Sequence, residues 1–137
     1  MPTIIATAKL IDNVRSVAHT GGHRVVMDLP VDQGGGDAGP SAYELAITSI
    51  AGCALTIFAD VAKESNVHLS TLEVEAEATK EPDSPKVTGV TLRVKVSGDA
   101  RSQKMRAIWR RTEALCPVVL MVKDQVPLSV EFTADTA

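Results

Sequence analysis

The sequence predicts an α+β fold in which an antiparallel sheet packs on a long, buried central helix. An uncharged run from Leu45 to Ala59 lies inside a segment whose apolar residues recur at helical spacing. Segments before and after this helix alternate apolar and polar residues, as half-buried strands do. The order is three strands, a helix, two strands, a helix, a helical turn and a strand, which places helices on one face of an antiparallel sheet.

Length and composition limit the classes of protein to consider. The 137 residues suit a single domain spanning 1–137. A net charge of −3 and few aromatic residues argue against a nucleic-acid-binding surface. The first residues lack the basic and then apolar order of a signal peptide, so we expect a cytoplasmic protein. The 15 uncharged residues 45–59 fall short of the roughly 20 that span a bilayer, which predicts a core helix and no membrane partner.

The first 29 residues predict a three-stranded antiparallel meander. Strands are expected at 3–11, 14–19 and 23–29. Asp12-Asn13 and Gly21-Gly22 supply the two turns.

A glycine-rich loop, residues 30–40, precedes the central helix. Three consecutive glycines before a helix can cradle a phosphate, but the Lys-Ser/Thr pair of a P-loop is missing. The other interpretation is a connector whose glycines let the backbone approach a neighbouring element closely.

The central helix is expected over 41–64. Ser41 and Glu44 have the spacing of a capping box, in which each side chain accepts a hydrogen bond from a free backbone N–H of the first turn. Apolar residues cover nearly the whole circumference, which is typical of a buried helix. One small sheet offers too little cover, so we expect a tight homo-oligomer.

The second half of the chain continues with strands and a further helix. Strands 70–79 and 86–96 alternate cleanly, and if they pair, their outward Glu and basic residues meet on the solvent face. A second helix is expected over 99–115, with an apolar stripe that ends at Leu115. A helical turn that begins at Cys116-Pro117 and a strand at 127–133 complete the domain, so its last part spans 116–133.

Cys53, in the middle of the central helix, and Cys116 are the two candidate reactive groups. In an intracellular chain, two cysteines are more often free, metal-binding or catalytic than a structural bridge. No Cys-x-x-Cys pair occurs and the three His are dispersed, so no metal site and no cofactor are predicted. At the N-cap of a helical turn, Cys116 would feel the positive end of the helix dipole, which lowers a thiol pKa. The alternative is that both are packing residues.

Two segments carry a resemblance to a known family. The run Gly39–Cys53, which continues into Ala-Leu-Thr, resembles the first cysteine motif of the OsmC/Ohr family, and Ala114-Leu-Cys-Pro-Val118 resembles the second. The resemblance implies an OsmC-like fold and an intertwined homodimer with active sites at the subunit interface. It also implies reduction of organic hydroperoxides, with Cys53 as peroxidatic nucleophile, Cys116 as resolving thiol and an external thiol as reductant.

The peroxidase branch of the family pairs its first cysteine with a Glu ten residues upstream and an Arg in the first β-turn. Here Tyr43 stands ten residues before Cys53, and Glu44 is one place away. The first turn has Asp12 in place of the Arg, and the nearest substitutes are Arg15 and Arg24. The resemblance therefore offers Glu44 and Arg15 as further candidate site residues, in a chain closer to the OsmC-like branch.

Two main functions follow from this reasoning, and a structural or partner-binding dimer is the remaining alternative. The first is a thiol-dependent peroxidase that reduces organic hydroperoxides through Cys53 and Cys116. The second is a non-catalytic OsmC-like dimer that binds an apolar small molecule in its interface pocket. The sulfur–sulfur distance is the observation that best separates them.

Overall fold

Five strands and three α-helices follow one another along residues 2–135, the part of the chain that this computed structural model describes. The strands and helices, in chain order, are β1 (Thr7–Asp12), β2 (Arg15–Thr20), β3 (His23–Met27), α1 (Ala42–Glu64), β4 (Leu69–Lys80), β5 (Val87–Gly98), α2 (Ser102–Leu115) and α3 (Pro117–Lys123). A short 3₁₀ helix, Val31–Gln33, lies in the loop before α1. The α+β architecture with antiparallel sheets and a central helix confirms the predicted fold class.

The residues cluster into two units, which are described separately below. The first comprises Met1–Ser49 and Ala76–Thr91, and the second comprises Ile50–Glu75 and Leu92–Ala137. The prediction of a single domain over 1–137 stays a prediction.

In the first unit, β1, β2 and β3 form the expected antiparallel meander. Gly21 and Gly22 both have positive φ, 54° and 79°, between the paired residues Thr20 and His23. Two positive φ values suit a type I′ turn, whose twist matches that of the flanking strands. The first strand begins at Thr7 and not at residue 3, because β2 pairs only as far as Thr7.

The capping box at the start of α1 is confirmed. The Ser41 N–H donates to Glu44 Oε1 at 3.0 Å, and the Glu44 N–H donates to Ser41 Oγ at 3.1 Å. Each bond satisfies an N–H that the first helical turn leaves without an intrahelical partner.

In the second unit, the remainder of α1 packs one face into a hydrophobic core. Five residues of this face are buried: Ile50, Ala54, Phe58, Val61 and Ala62. Phe58, Val61 and Ala62 form a core cluster with Met105 and Ile108 of α2 and with Val67. By length and composition α1 could also cross a membrane, but in this structure one of its faces packs into the core of the second unit.

In the single chain α1 is buried on one face only, and the burial expected round its whole circumference in a homo-oligomer stays a prediction. Ile57 and Leu55 are only partly buried, and Gly52 is exposed. The reason is geometric, since one chain provides neighbours for one face of the helix.

The β4–β5 hairpin agrees with the alternation in the sequence. Leu72, Val74, Ala76 and Ala78 are half-buried, while the residues between them are exposed. Thr71 meets Ser97 and Glu75 meets Arg93, so residue numbers rise on one strand as they fall on the other, as in an antiparallel pair. The Arg93 guanidinium lies 2.9 Å from Glu75 Oε1, which confirms that acidic and basic residues meet on the exposed face.

Two predictions for the last third of the chain are wrong. Leu115, expected in the apolar stripe of α2, is 51% exposed because α2 ends there. No strand forms at 127–133, and Leu128, Val130 and Phe132 are 90%, 77% and 86% exposed. A strand requires a hydrogen-bonded neighbour, and no strand of the described residues pairs with this segment.

Candidate active site

Cys53 is carried by α1, close to the middle of the helix. Its side chain is half-buried. The preceding residue, Gly52, has no atom within 4 Å of the position that a Cβ would occupy. The single chain therefore leaves open space beside α1 at Gly52, next to Cys53 in the sequence.

Cys116 lies at the junction of α2 and α3, where two backbone hydrogen bonds fix it. Its N–H donates to the Thr112 carbonyl at 2.9 Å, and its own carbonyl accepts from the Leu120 N–H at 3.0 Å. Pro117 at the first position of α3 needs no hydrogen-bond acceptor. Cys116 is fully buried, in contrast to Cys53.

The two thiols are in contact. The Cys116 Sγ–H donates to Cys53 Sγ over 2.8 Å, although the residues are 63 positions apart in the sequence. Both are free thiols within the second unit. Two sulfur atoms at this separation need only a small movement to form a disulfide, whose S–S bond is about 2.05 Å long. The arrangement is suited to reversible thiol–disulfide chemistry.

The pKa of the Cys116 thiol is raised, which corrects the expectation that its N-cap position would lower it. Burial raises the pKa because a thiolate loses hydration there, and the hydrogen bond to Cys53 raises it further. The Val119 and Val118 N–H groups at the start of α3 lower the pKa, as the helix dipole predicts, but by less. Cys116 therefore favours the neutral thiol.

Glu44 is engaged in the capping box and belongs to the first unit, whereas the thiols belong to the second. The hydrogen bond from the Ser41 backbone N–H lowers the pKa of Glu44, and the hydrogen bond with the Ser41 hydroxyl lowers it further. The structure accounts for Glu44 as a helix cap, and its role at the thiols stays a prediction.

Arg15 and Arg24, the candidate cationic residues, both belong to the first unit. Arg15 Nε lies 3.2 Å from Asp28 Oδ2, and Asp28 is a buried carboxylate. Arg24 is an exposed residue of β3. The structure therefore gives Arg15 a definite partner, and this partner is not a cysteine.

Asp28 is the residue that the sequence reasoning missed. It accepts hydrogen bonds from the N–H groups of Leu29, Gly36 and Ala38 as well as from Arg15. The Gly36 and Ala38 N–H groups belong to the glycine-rich loop 30–40, the candidate phosphate cradle, so the protein's own carboxylate occupies two donors of this loop. The available signal was an Asp at the end of an apolar strand, immediately before Leu29-Pro30.

The close-approach interpretation of the loop is confirmed. A Cβ on Gly35 would lie 2.1 Å from the Leu29 carbonyl oxygen, and one on Gly39 would lie 2.3 Å from that of Val26. Only glycine fits at such distances. Within residues 2–135, no three His, Cys, Asp or Glu side chains are grouped so that they could hold a metal ion.

Comparison with known proteins provides a family. The family model described as OsmC-like protein matches residues 34–131. This range includes both cysteines. No curated protein matches the chain by sequence.

Solved structures match over most of the chain. An OsmC-like protein from Mycoplasma pneumoniae has a TM-score of 0.79 and 12% identity, covering 90% of this chain and 89% of its own. Organic hydroperoxide resistance proteins from Legionella pneumophila and Elizabethkingia anophelis have TM-scores of 0.61 and 0.63, at 18% and 15% identity. The first match covers 90% of both chains and the second 91% of both. At such identities the likeness establishes the fold.

Proposed function

Because the chain belongs to the OsmC-like protein family, we propose that it is a thiol-dependent peroxidase that reduces organic hydroperoxides through Cys53 and Cys116. Some structural neighbours are organic hydroperoxide resistance proteins, which supports a peroxide substrate. The observation that carries the proposal is the 2.8 Å contact between the two sulfur atoms.

In the first step, the Cys53 thiolate attacks one oxygen of the hydroperoxide O–O bond. The bond breaks, Cys53 becomes a sulfenic acid, and the other oxygen leaves as an alcohol after taking up a proton. The assignment of Cys53 to this step is supported by its exposure, since an incoming molecule cannot reach the buried Cys116 directly.

In the second step, the Cys116 thiol condenses with the Cys53 sulfenic acid. A disulfide forms and water leaves, which protects Cys53 from further oxidation. Two electrons from an external thiol reductant then restore both thiols. The short sulfur–sulfur distance supports a rapid condensation without large backbone movement.

The proposal includes a homodimer. It is supported by the half-buried apolar residues of α1 and by large exposed apolar side chains near both ends of the chain. We also propose that the protein acts in the cytoplasm, without a nucleic-acid or membrane partner, in keeping with its acidic composition. Glu44 and Arg15 are retained as candidates that assist Cys53, although each has another partner in the single chain.

The test is peroxide consumption by the reduced protein, with cumene hydroperoxide as substrate and dithiothreitol as reductant. We expect turnover in the wild type and an oxidised protein lighter by two hydrogen atoms in intact mass spectrometry. Cys53→Ser should reduce consumption to the uncatalysed rate. Cys116→Ser should still react once, and dimedone should trap its sulfenic acid.

Ala46→Ser, an exposed substitution on the same helix, is the matched control and should retain full activity. Unchanged turnover in Cys53→Ser would show that the reaction does not pass through this thiol.

The second candidate function is a non-catalytic OsmC-like dimer that binds an apolar small molecule in its interface pocket. The raised pKa of Cys116 favours it, because a neutral, buried thiol is slow to react. It predicts that the reduced protein leaves cumene hydroperoxide intact while both thiols stay titratable after unfolding.

A further inference from the structure

The second unit contains a cavity that neither cysteine lines. Its volume is about 370 Å³, within the range of small-molecule sites. The wall is formed by Phe58 of α1, by three residues of β5 and by one face of α2. The lining residues are Phe58, Leu92, Val94, Val96, Ser102, Met105, Arg106 and Trp109.

The polar groups of this cavity are all contributed by α2. Ser102, Arg106 and Trp109 follow one another at spacings of four and three residues, so they lie on one face of the helix. The other five lining residues are apolar. The cavity therefore combines an apolar wall with hydrogen-bond donors along one side, and no acidic residue lines it.

The cavity is open to solvent, and Arg106, which lines it, is exposed and has no ion-pair partner among residues 2–135. By contrast, the nearby Arg111 pairs with Glu64 at 3.5 Å. A guanidinium next to apolar walls attracts a single negative charge, and a carboxylate can accept two of its N–H bonds at once.

We propose that this cavity binds an anionic amphiphile, a molecule with one carboxylate and one unbranched aliphatic chain. The carboxylate lies against Arg106, and the chain lies along Phe58, Val94 and the neighbouring apolar residues. Charge complementarity selects this class, because the lining holds one cation, no anion and otherwise mainly apolar surface. The site is distinct from the thiol pair and does not depend on peroxidase activity.

The experiment uses Trp109 as a reporter, since it is the one tryptophan of the chain and it lines the cavity. The full-length protein is titrated with decanoate below its micellar concentration, and tryptophan emission is recorded. We expect a saturable blue shift as the chain displaces water from the indole. A parallel titration with 1-decanol, which has the same chain but no charge, isolates the contribution of the carboxylate.

Arg106→Gln should weaken decanoate binding by about tenfold and leave 1-decanol binding unchanged, which is the loss expected for one charge-assisted interaction. Arg110→Gln is the matched control, because it removes the same charge from an exposed position of α2 outside the cavity. Its affinity for decanoate should equal that of the wild type. Val94→Phe, which places a larger side chain in the apolar wall of the cavity, should weaken binding of both ligands.

Three results would overturn the proposal. The first is no saturable emission change with decanoate. The second is an equal loss in Arg106→Gln and Arg110→Gln, which would indicate general attraction to a basic helix. The third is binding that begins only after residues 126–137 are deleted, which would show that a segment of this protein occupies the cavity.

Discussion

Asp28 organises the loop before α1 through its two carboxylate oxygens. Oδ1 accepts the Leu29 N–H at 2.8 Å, while Oδ2 accepts the N–H groups of Gly36 and Ala38, both at 3.1 Å, and faces Arg15. A buried carboxylate is tolerated only when its charge is compensated in this way. The hydrogen bond from Ala38 is the largest of the causes that hold the pKa of Asp28 below its usual value.

Asp28→Asn should lower the thermal midpoint of unfolding by several degrees at pH 7, since the amide cannot accept all four bonds and leaves Arg15 without its counter-charge. The exposed Asp32→Asn is the control and should change the midpoint little. Differential scanning calorimetry provides the measurement.

The lowered pKa of Asp28 determines how the stability difference between wild type and Asp28→Asn depends on pH. The pKa of Asp28 is lower in the folded protein than in the unfolded chain, where it is near 3.8. The ionised carboxylate therefore stabilises the fold at pH values above 3.8, and this stabilisation is lost as the pH falls through the folded-state pKa. The gap between wild type and Asp28→Asn should therefore be constant from pH 5 to 7 and shrink in strong acid. A gap that widens in acid would contradict the role of the ionised carboxylate.

At the scale of the elements, the surroundings of Gly35, in the loop before α1, differ from those of Gly52 in α1. Gly35 approaches the Leu29 backbone so closely that a methyl group cannot be accommodated without backbone movement. Gly52 lies within the continuous helix α1, and a Cβ at this position would have no neighbouring atom within 4 Å. Glycine inside a helix is about 0.5–1 kcal/mol less favourable than alanine, so Gly52 has a cost that the single chain does not explain.

Gly35→Ala should lower the free energy of unfolding by about 1–3 kcal/mol, because the loop must shift to accept the added Cβ. Gly89→Ala is the matched control, since its Cβ would meet Thr79 Oγ1 at 3.6 Å, an ordinary contact. Urea unfolding followed by circular dichroism measures both. Equal stability of Gly35→Ala and wild type would show that the close approach in this loop is easily relieved.

At the scale of the whole molecule, apolar surface is left uncovered near both termini. Ile4 and Ile5 are 90% and 75% exposed, and the alternating Leu128, Val130 and Phe132 resemble a strand without a sheet. Such surface usually marks a protein–protein contact. The proposed homodimer gives it a partner, and strand pairing between copies would provide the hydrogen bonds that 127–133 lacks within the chain.

We expect the wild type to elute as a dimer with twice the 14.5 kDa chain mass in size-exclusion chromatography with light scattering. Val130→Asp combined with Phe132→Asp should shift it to the monomer, because charges would be buried at the contact. Ser129→Asp with Thr133→Asp places the same charge on the alternate side of the segment and should affect assembly less. A monomeric wild type, or equal dissociation of both variants, would contradict the assignment of this segment to the interface.

Local patterns were sufficient to predict most of the elements. The apolar period of α1, the capping box at Ser41 and Glu44, and the alternation in β4 and β5 depend on residues a few positions apart, and the structure confirms each of them. The turn at Gly21-Gly22 is also a local feature that the structure confirms. For these features, chain geometry and side-chain chemistry within one or two turns determine the outcome.

The sequence by itself determined most of the elements, the pair of cysteines and the family resemblance, because short-range geometry and recognisable motifs carry them. The tertiary structure decided that Cys53 and Cys116 touch, that burial outweighs the helix dipole at Cys116, and that Arg15 faces Asp28. It also decided that 127–133 forms no strand in the single chain. Each of these depends on which distant groups packing brings together and on how much water it removes from them, and no local pattern encodes that.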